Sequence, residues 1–579
     1  MPETIGDQRR GEGLEGGEIR PELAMTHLLS IMQLSPEDPF WQTENGLAVY
    51  EAMGDFVTNH YENPIAQAMR SPMEKIAAVY SVTAEDGRYA ELTKPLREVV
   101  SEKGLMQGRA VAIIEHLLAH IAFVEGFEFP DAIKNEMREI YRNFTLLDMF
   151  KVQSNEAETK HDVQAIINFV KEKISVVLRS YGCTDPDITK YTELVHIGCT
   201  SEDLNNVAVS WQLAQGLEIV QSRMDSLIEK LATDACTFAD LPFPSYTHGQ
   251  DATPITFGNK LARIVESLVK NMNRVTNTQI SAKWGGATGG DNAKVFATRD
   301  REDLDWITFG EDFTRSLGFE TYSLSTGQIC DYSDHASVLN QLSIVCGSLS
   351  NACMDMWRSI SRDEIAQLIV GTEVGSSAMP HKVNPIKFEN ASARFLLAQE
   401  QMNALAKLLL DSYDERDLRS STFSREFGKC LANMLIAVEN MKSGLSRISP
   451  NEAVIDAKLT NSPLVVSEAI QTEMRFRQYG DGYNAVKKFV RDSRNITAKM
   501  INNFIDTLGI ADEVKADLCR LTPQTYIGNN GERTRRSLAL SGIIFIETEN
   551  STSDSPNYKA VLGDSARHKE TTIFQNQLS

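Results

Sequence analysis

At 579 residues, 42% hydrophobic and 24% charged, the chain is long enough for several domains or one large helical assembly and has the balance of a soluble globular protein. Its formal net charge of −21 argues against a general nucleic-acid or membrane surface, so an anionic ligand would need locally clustered cations. The eight cysteines are scattered without a CxxC pair, no apolar run reaches bilayer-spanning length, and the first twenty residues lack an apolar signal core. Reduced thiols and a cytoplasmic location are expected.

Residues 1–75 read as an N-terminal extension carrying no chemistry. It has a disordered-looking stretch at 6–17 and short helical patterns at 28–32 and 47–56. Asp86-Gly87-Arg88-Tyr89 is a turn presenting an arginine and a tyrosine. In the helix expected around 105–124, His116 and His120 stand four apart on one face, a spacing compatible with metal ligation. With aliphatic neighbours and no third ligand nearby, packed histidines are the better reading. Thr159-Lys160-His161-Asp162 opens a further helix over 163–177.

Thr200-Ser201 stand just ahead of Glu202-Asp203. As isolated sequence this is a helix N-terminus with hydroxyl caps and acids in the first turn, although the same free N–H groups also suit an anion. Residues 247–254, THGQDATP, form a turn with Thr253 expected as N-cap and Pro254 at the first helical position. Leu261, Ile264, Leu268, Met272 and Val275 follow as one helical stripe. The Gly-rich run at 283–290 reads as a loop at close backbone range to a neighbour. A long amphipathic helix is expected over 338–360.

The segment 371–390, GTEVGSSAMPHKVNPIKFEN, is the most chemically loaded part of the chain. Its glycines and prolines make a loop, its serines, His381, Lys382 and Asn384 supply hydroxyl, imidazole, ammonium and amide, and a helix follows over 386–410. Beyond it, ERDLRSSTFSREF sets Arg416, Arg419, Ser421 and Arg425 before another helix to about residue 445. Few segments alternate with period two, so the fold class is all-α. Long helices with only one stripe buried in their own chain favour oligomerisation through a bundle. The expected divisions are 76–190, an N-terminal helical domain; 191–445, a central long-helix bundle with the loop 371–385; 446–530, a C-terminal helical domain; and 531–579, a polar, poorly ordered tail.

The string GSSAMPHKVNP resembles the signature loop of the fumarase/aspartase superfamily, and its PHKVNP wording is similar to that of the adenylosuccinate lyase family. DGRY, KHD, CTSED, THGQ, this loop and RDLxSSTxxR occur in that family's order, spanning roughly three quarters of the chain. The resemblance implies a three-domain, all-α fold with a tetrameric helical core whose sites draw on three subunits. It also implies elimination of fumarate from adenylosuccinate and from SAICAR, without metal or organic cofactor.

The resemblance also assigns roles. His248 is the general acid, Glu389 its orienting partner and Ser376 the general base. Lys382, Asn384, Thr200 and Ser201 hold the succinyl carboxylates. Arg88, Tyr89, Ser421 and Arg425, with Arg416 close by, take the nucleotide phosphate. Lys160, His161, Asp162 and Gln328 complete the substrate-binding set.

The chain departs from the family's wording at several positions. Asp251 stands where proline is common after THGQ, either acting on His248 or facing solvent. KWGGATGGDNAK replaces a GAVGxxNAH-like run, CDYSD follows Gln328, and Lys387 replaces an acid. The rival readings are another superfamily lyase acting on argininosuccinate, aspartate or fumarate, and an inactive scaffold of the same fold.

Overall fold

Helical periodicity, read from the positions of buried side chains, organises most of the computed structural model. It describes residues 81–368, 379, 382–493, 495–547, 558–563 and 572–578. The extension's helical patterns, Ser376 and His381 lie outside these residues. The chain divides at Ala90 into two compact units. In the first, 81–90 form the expected turn, with the Thr83 hydroxyl donating to Asp86 and the Arg88 guanidinium 6.0 Å from the Tyr89 ring centre.

In the second unit, Glu91–Ser579, five helices form the main core: Ser201–Thr237, Phe257–Thr276, Ser333–Ser361, Ile386–Leu409 and Phe427–Leu445. The first runs 37 residues, about 55 Å at 1.5 Å per residue. In 257–276, Leu261, Val265, Leu268, Met272 and Val275 are buried, a spacing of four and three that keeps one stripe inward. The 333–361 helix packs along 386–409, which in turn lies on 427–445. Burying one such leucine stabilises the fold by roughly 1.5–3 kcal/mol.

A second apolar cluster joins Glu102–Glu125 and Asp162–Ser180 to Trp284, Trp306, Phe309 and Phe313. A third, smaller one gathers Ile470, Met474, Ile501 and Ile505. The strands among the described residues form two-stranded pairs, so the all-α expectation holds.

Two expectations differ from what is observed. Thr253 and Pro254 lie in a strand, Gln250–Thr256, paired antiparallel with Pro242–Thr247. The following helix begins instead at Phe257, capped by Thr256, whose hydroxyl accepts from the Asn259 N–H at 3.1 Å. Pro254, with no N–H to give a ladder, sits where the register shifts opposite Pro244.

The segment after Asn529, expected as a poorly ordered tail, contains the helix Asn530–Leu540 and the paired strands Ile543–Glu547 and Tyr558–Leu562. Leu538, Ile543, Ala560 and Leu562 enter the main core and Phe574 the second. A handful of apolar residues in the right register suffices to anchor an otherwise polar stretch, and average composition hides them.

His116, His120 and His335 are buried. The His116 Nδ1 accepts from Trp284 Nε1 at 3.2 Å and its Nε2 meets the Ile197 carbonyl at 3.2 Å. His335 Nε2 lies 3.0 Å from the Ser210 hydroxyl. They are packed side chains, and among the described residues no group of three or more His, Cys, Asp or Glu is placed to hold a metal.

Burial lowers His120 and His335 to about 4, and His116 well below its ordinary value. The unfolded chain, whose histidines titrate near 6.5, therefore takes up protons first as pH falls. These histidines' contribution is complete above about 6.5 and is lost towards pH 4, at about 1 kcal/mol per histidine between pH 6.5 and 5.5. Urea midpoints should drop over that interval; a flat midpoint would show that the three rings titrate normally.

Candidate active site

The start of the 201–237 helix is the fixed point of the polar site. Asp203 is fully buried, and its Oδ2 accepts from the Thr200 N–H at 2.7 Å. Its Oδ1 accepts from the Lys283 ammonium at 2.8 Å and from the Gly285 N–H at 3.2 Å. Asn206 closes the same joint, accepting from the Lys283 N–H at 3.0 Å and donating to the Lys283 carbonyl at 3.2 Å. Thr200 and Ser201 are thereby held at the helix mouth against the 283–290 loop.

That loop makes the close approach its glycines suggest. A Cβ on Gly289, where φ is 80°, would lie 2.1 Å from the Thr326 carbonyl oxygen.

From Glu202 a chain of charged hydrogen bonds runs through the expected nucleotide-side residues. Glu202 Oε1 accepts from Arg416 Nη2 at 2.8 Å and from Asn205 Nδ2 at 2.6 Å. Arg416 also donates to Gln328 Oε1 at 3.0 Å and to the Ser421 hydroxyl at 3.3 Å. Asn205 Oδ1 accepts from Arg109 Nε at 2.9 Å, and Arg109 Nη1 reaches Asp162 at 2.9 Å. Asp162 accepts from Arg425 Nη2 at 2.8 Å, and Arg425 Nε donates to Glu102 at 3.2 Å. Gln328, Arg416, Ser421, Arg425 and Asp162, far apart in sequence, thus form one array.

Burial alone would raise the Asp162 carboxyl, but Arg109 and then Arg425 outweigh it and hold it at about 2. Burial lowers Arg109, with Asp162 opposing. Burial also works against Arg425, yet Glu102 and Asp162 leave it raised. Arg425 and, to a smaller extent, Arg416 remain partly exposed, at 36% and 18% of their side chains.

His248 occupies a different place. The strands 242–247 and 250–256 close at Thr247 and Gln250, so His248 and Gly249 form a two-residue turn, both with positive φ (52° and 76°). That is the geometry hairpins favour; glycine accepts it freely, and histidine is among the few other residues enriched there. The turn presents an exposed imidazole.

The hairpin is held from behind. Tyr246 donates to buried Glu364, which also takes the Lys458 ammonium at 3.2 Å, and the Arg362 guanidinium lies 3.8 Å over the Tyr246 ring. Asp251 accepts from the Ser462 hydroxyl at 2.6 Å and Glu468 from Thr253 at 2.9 Å. Asp251 is exposed, the second of the two readings foreseen for it, and is in addition bound to Ser462.

Glu389 lies in the first turn of the 386–409 helix and accepts from Trp357 Nε1 at 2.9 Å. Within one chain the expected His248–Glu389 hydrogen bond is not made. Lys160, with φ 54°, caps the Leu146–Thr159 helix, and His161 Nδ1 accepts from the Gln164 N–H at the next helix start. Lys382 is exposed and Asn384 half-buried.

Sequence reasoning missed Arg109, Asn205 and Lys283, and read Glu202 and Asp203 as first-turn acids alone. A signal existed for Arg109, the one cation inside the apolar run 105–114, LMQGRAVAII.

Two solved structures share this fold. A fumarate lyase from Mesorhizobium sp. BNC1 has a TM-score of 0.61 and 17% identity over 77% of this chain and 97% of its own. A 3-carboxy-cis,cis-muconate lactonizing enzyme from Pseudomonas putida has a TM-score of 0.58 and 19% identity over 77% and 96%. The family described as Lyase matches residues 87–397. Fold and family together define a lyase with the all-α fumarase/aspartase architecture.

The family described as Adenylosuccinate lyase C-terminal matches residues 412–527. The adenylosuccinate lyase of Dictyostelium discoideum is 34% identical over 77% of this chain and 96% of its own, and that of Haemophilus influenzae 32% over 78% and 98%. The chain belongs to the adenylosuccinate lyase family.

Lys283→Met should destabilise the protein by about 3–5 kcal/mol, because Asp203 would keep a buried charge without its counterion. Adding Asp203→Asn should recover part of the loss in urea denaturation. Additive losses in the double variant would show that the pair does not act as a unit.

Proposed function

We propose that this chain catalyses β-elimination of fumarate from adenylosuccinate, giving AMP, and the equivalent cleavage of SAICAR to AICAR. The observation that carries the reading is the array linking Gln328, Arg416, Ser421 and Arg425. It gathers guanidinium forks suited to a nucleotide phosphate on a chain otherwise strongly acidic. Membership of the family supports the same substrate class. A lyase acting on fumarate alone would have no use for these groups, which favours adenylosuccinate over the rival superfamily substrates.

The reaction removes a proton from the succinyl carbon beside a carboxylate, breaks the bond between the neighbouring carbon and nitrogen, and protonates that nitrogen. A base and an acid are needed on opposite faces, with fixed donors around the carboxylate that gains charge. Ser376 takes the carbon-bound proton, and the electron pair left behind becomes the new double bond as the C–N bond cleaves. His248 delivers a proton to the departing nitrogen. Lys382, Asn384, Thr200 and Ser201 hold the succinyl carboxylates. The family's motif order assigns Arg88 and Tyr89 to nucleotide binding; Arg416, Ser421 and Arg425 take the phosphate, and Lys160, His161 and Asp162 border the nucleotide.

His248 and Glu389 act together across an assembly of chains, and we propose a homotetramer built on the central helices. Ile344 on the 333–361 helix, and Leu396, Leu397 and Leu408 on the 386–409 helix, are large apolar side chains left exposed in the single chain. Such a set fits self-association better than a free surface.

Purified protein should release fumarate from adenylosuccinate and SAICAR but not from argininosuccinate or aspartate. His248→Ala and Ser376→Ala should each lower kcat by roughly 10²–10⁴ with helicity unchanged, and Arg425→Ala should chiefly raise KM. Wild-type rates in either of the first two variants would remove the acid–base assignment. Binding of AMP without fumarate release would establish the scaffold reading instead.

A further inference from the structure

Outside the polar array, a groove of about 750 Å³ runs between the 257–276 helix and the 530–540 helix. Arg263 and Lys270, seven apart on the first helix, and Arg533 and Arg536, three apart on the second, line it together. Those spacings put each pair on one helical face. Among the described residues none of the four makes a side-chain hydrogen bond or ion pair, and all four are exposed. The carboxylate lining the groove, Glu266, is engaged by the Ser537 hydroxyl at 2.6 Å. Arg535 lies outside the lining set, with both its terminal nitrogens on Asp240 at 3.0 Å.

Among the described residues the four cations around this depression outnumber its one lining carboxylate, Glu266, on a chain whose net charge is −21 and whose acids could have neutralised them. Their placement does not serve the helix either. The 530–540 helix has no basic residue in its last turn, where the helix dipole would favour one; Arg533 stands in its first turn and Arg536 near its middle. The groove is of the size that small-molecule sites occupy. Leu540, largely exposed, also lines it and offers apolar surface beside the charges. The arginine-bearing helix falls beyond residue 527, where the family match ends.

We propose that this groove is a second anion site, distinct from the polar array that includes Arg416 and Arg425, and that it binds a small organic polyphosphate of nucleoside triphosphate size. The guanidinium forks and the lysine take the phosphate oxygens, and the apolar surface takes the organic body. Through the 257–276 helix, whose cap Thr256 ends the His248 hairpin, the bound anion rests on the element that follows that hairpin.

The test is titration calorimetry of the full-length protein with ATP and with inorganic tripolyphosphate, at low salt and at 150 mM salt. ATP should bind, more weakly at the higher salt. Arg533→Ala/Arg536→Ala should weaken binding by at least about tenfold while leaving helicity and fumarate release unchanged. Lys270→Glu, on the other helix, should do the same and serves if the double variant does not fold. Arg425→Ala should leave this binding intact. Tripolyphosphate binding as tightly as ATP would assign the site to the phosphate chain alone and remove the organic-body part of the proposal. No binding of either probe, binding indifferent to Arg533, Arg536 and Lys270, or binding lost only with Arg425 would overturn it.

Discussion

The buried pairing of Lys283 with Asp203 is the contact on which the polar site depends. Both side chains are withdrawn from water, so each is tolerable only in the presence of the other. Asp203 spends its remaining acceptor capacity on two backbone N–H groups, one at the helix cap and one in the glycine loop. A single carboxylate therefore ties the start of the longest described helix to a loop some eighty residues away. Thr200, Ser201 and Glu202, its immediate neighbours, inherit that position.

Beyond this joint, positive charge is held open by negative charge. Glu202, Asp162 and Glu102 keep Arg416, Arg109 and Arg425 apart yet oriented. Arginines packed this closely would repel one another without the intervening carboxylates. The arrangement sets a local cluster of guanidinium groups on a chain whose global charge is negative.

The hairpin bearing His248 is organised on a different principle. Its tip is exposed and bends through two left-handed residues, while its strands are fastened through Tyr246, Asp251 and Thr253 to residues at 362–364 and 458–468. The imidazole is thus projected rather than packed. Glu389, its expected partner, is occupied by Trp357 in the same chain.

Much of this was legible from residues alone. Apolar spacing located several long helices to within a few positions, because a buried stripe must recur with the helical period whatever it packs against, while the longest, Ser201–Thr237, was read only from its N-terminal caps. The motif order identified the family and, with it, Arg416, Ser421 and Arg425. Charge and composition argued against a general nucleic-acid or membrane surface. Other features depended on long-range placement, which sequence does not encode locally. Pro254 read as a helix start because proline is as welcome there as in a strand irregularity, and only the pairing with 242–247 chose between them. Asp251 had no assigned partner until Ser462, 211 residues on, was brought beside it. The polar composition after Asn529 masked Leu538, Leu562 and Phe574, whose burial is decided by the surfaces they meet. The sequence by itself determined the helical period, the family and the kinds of chemical group present; the tertiary structure alone decided which charges meet, because Coulombic and hydrogen-bond partners are set by distance in space and not by separation along the chain.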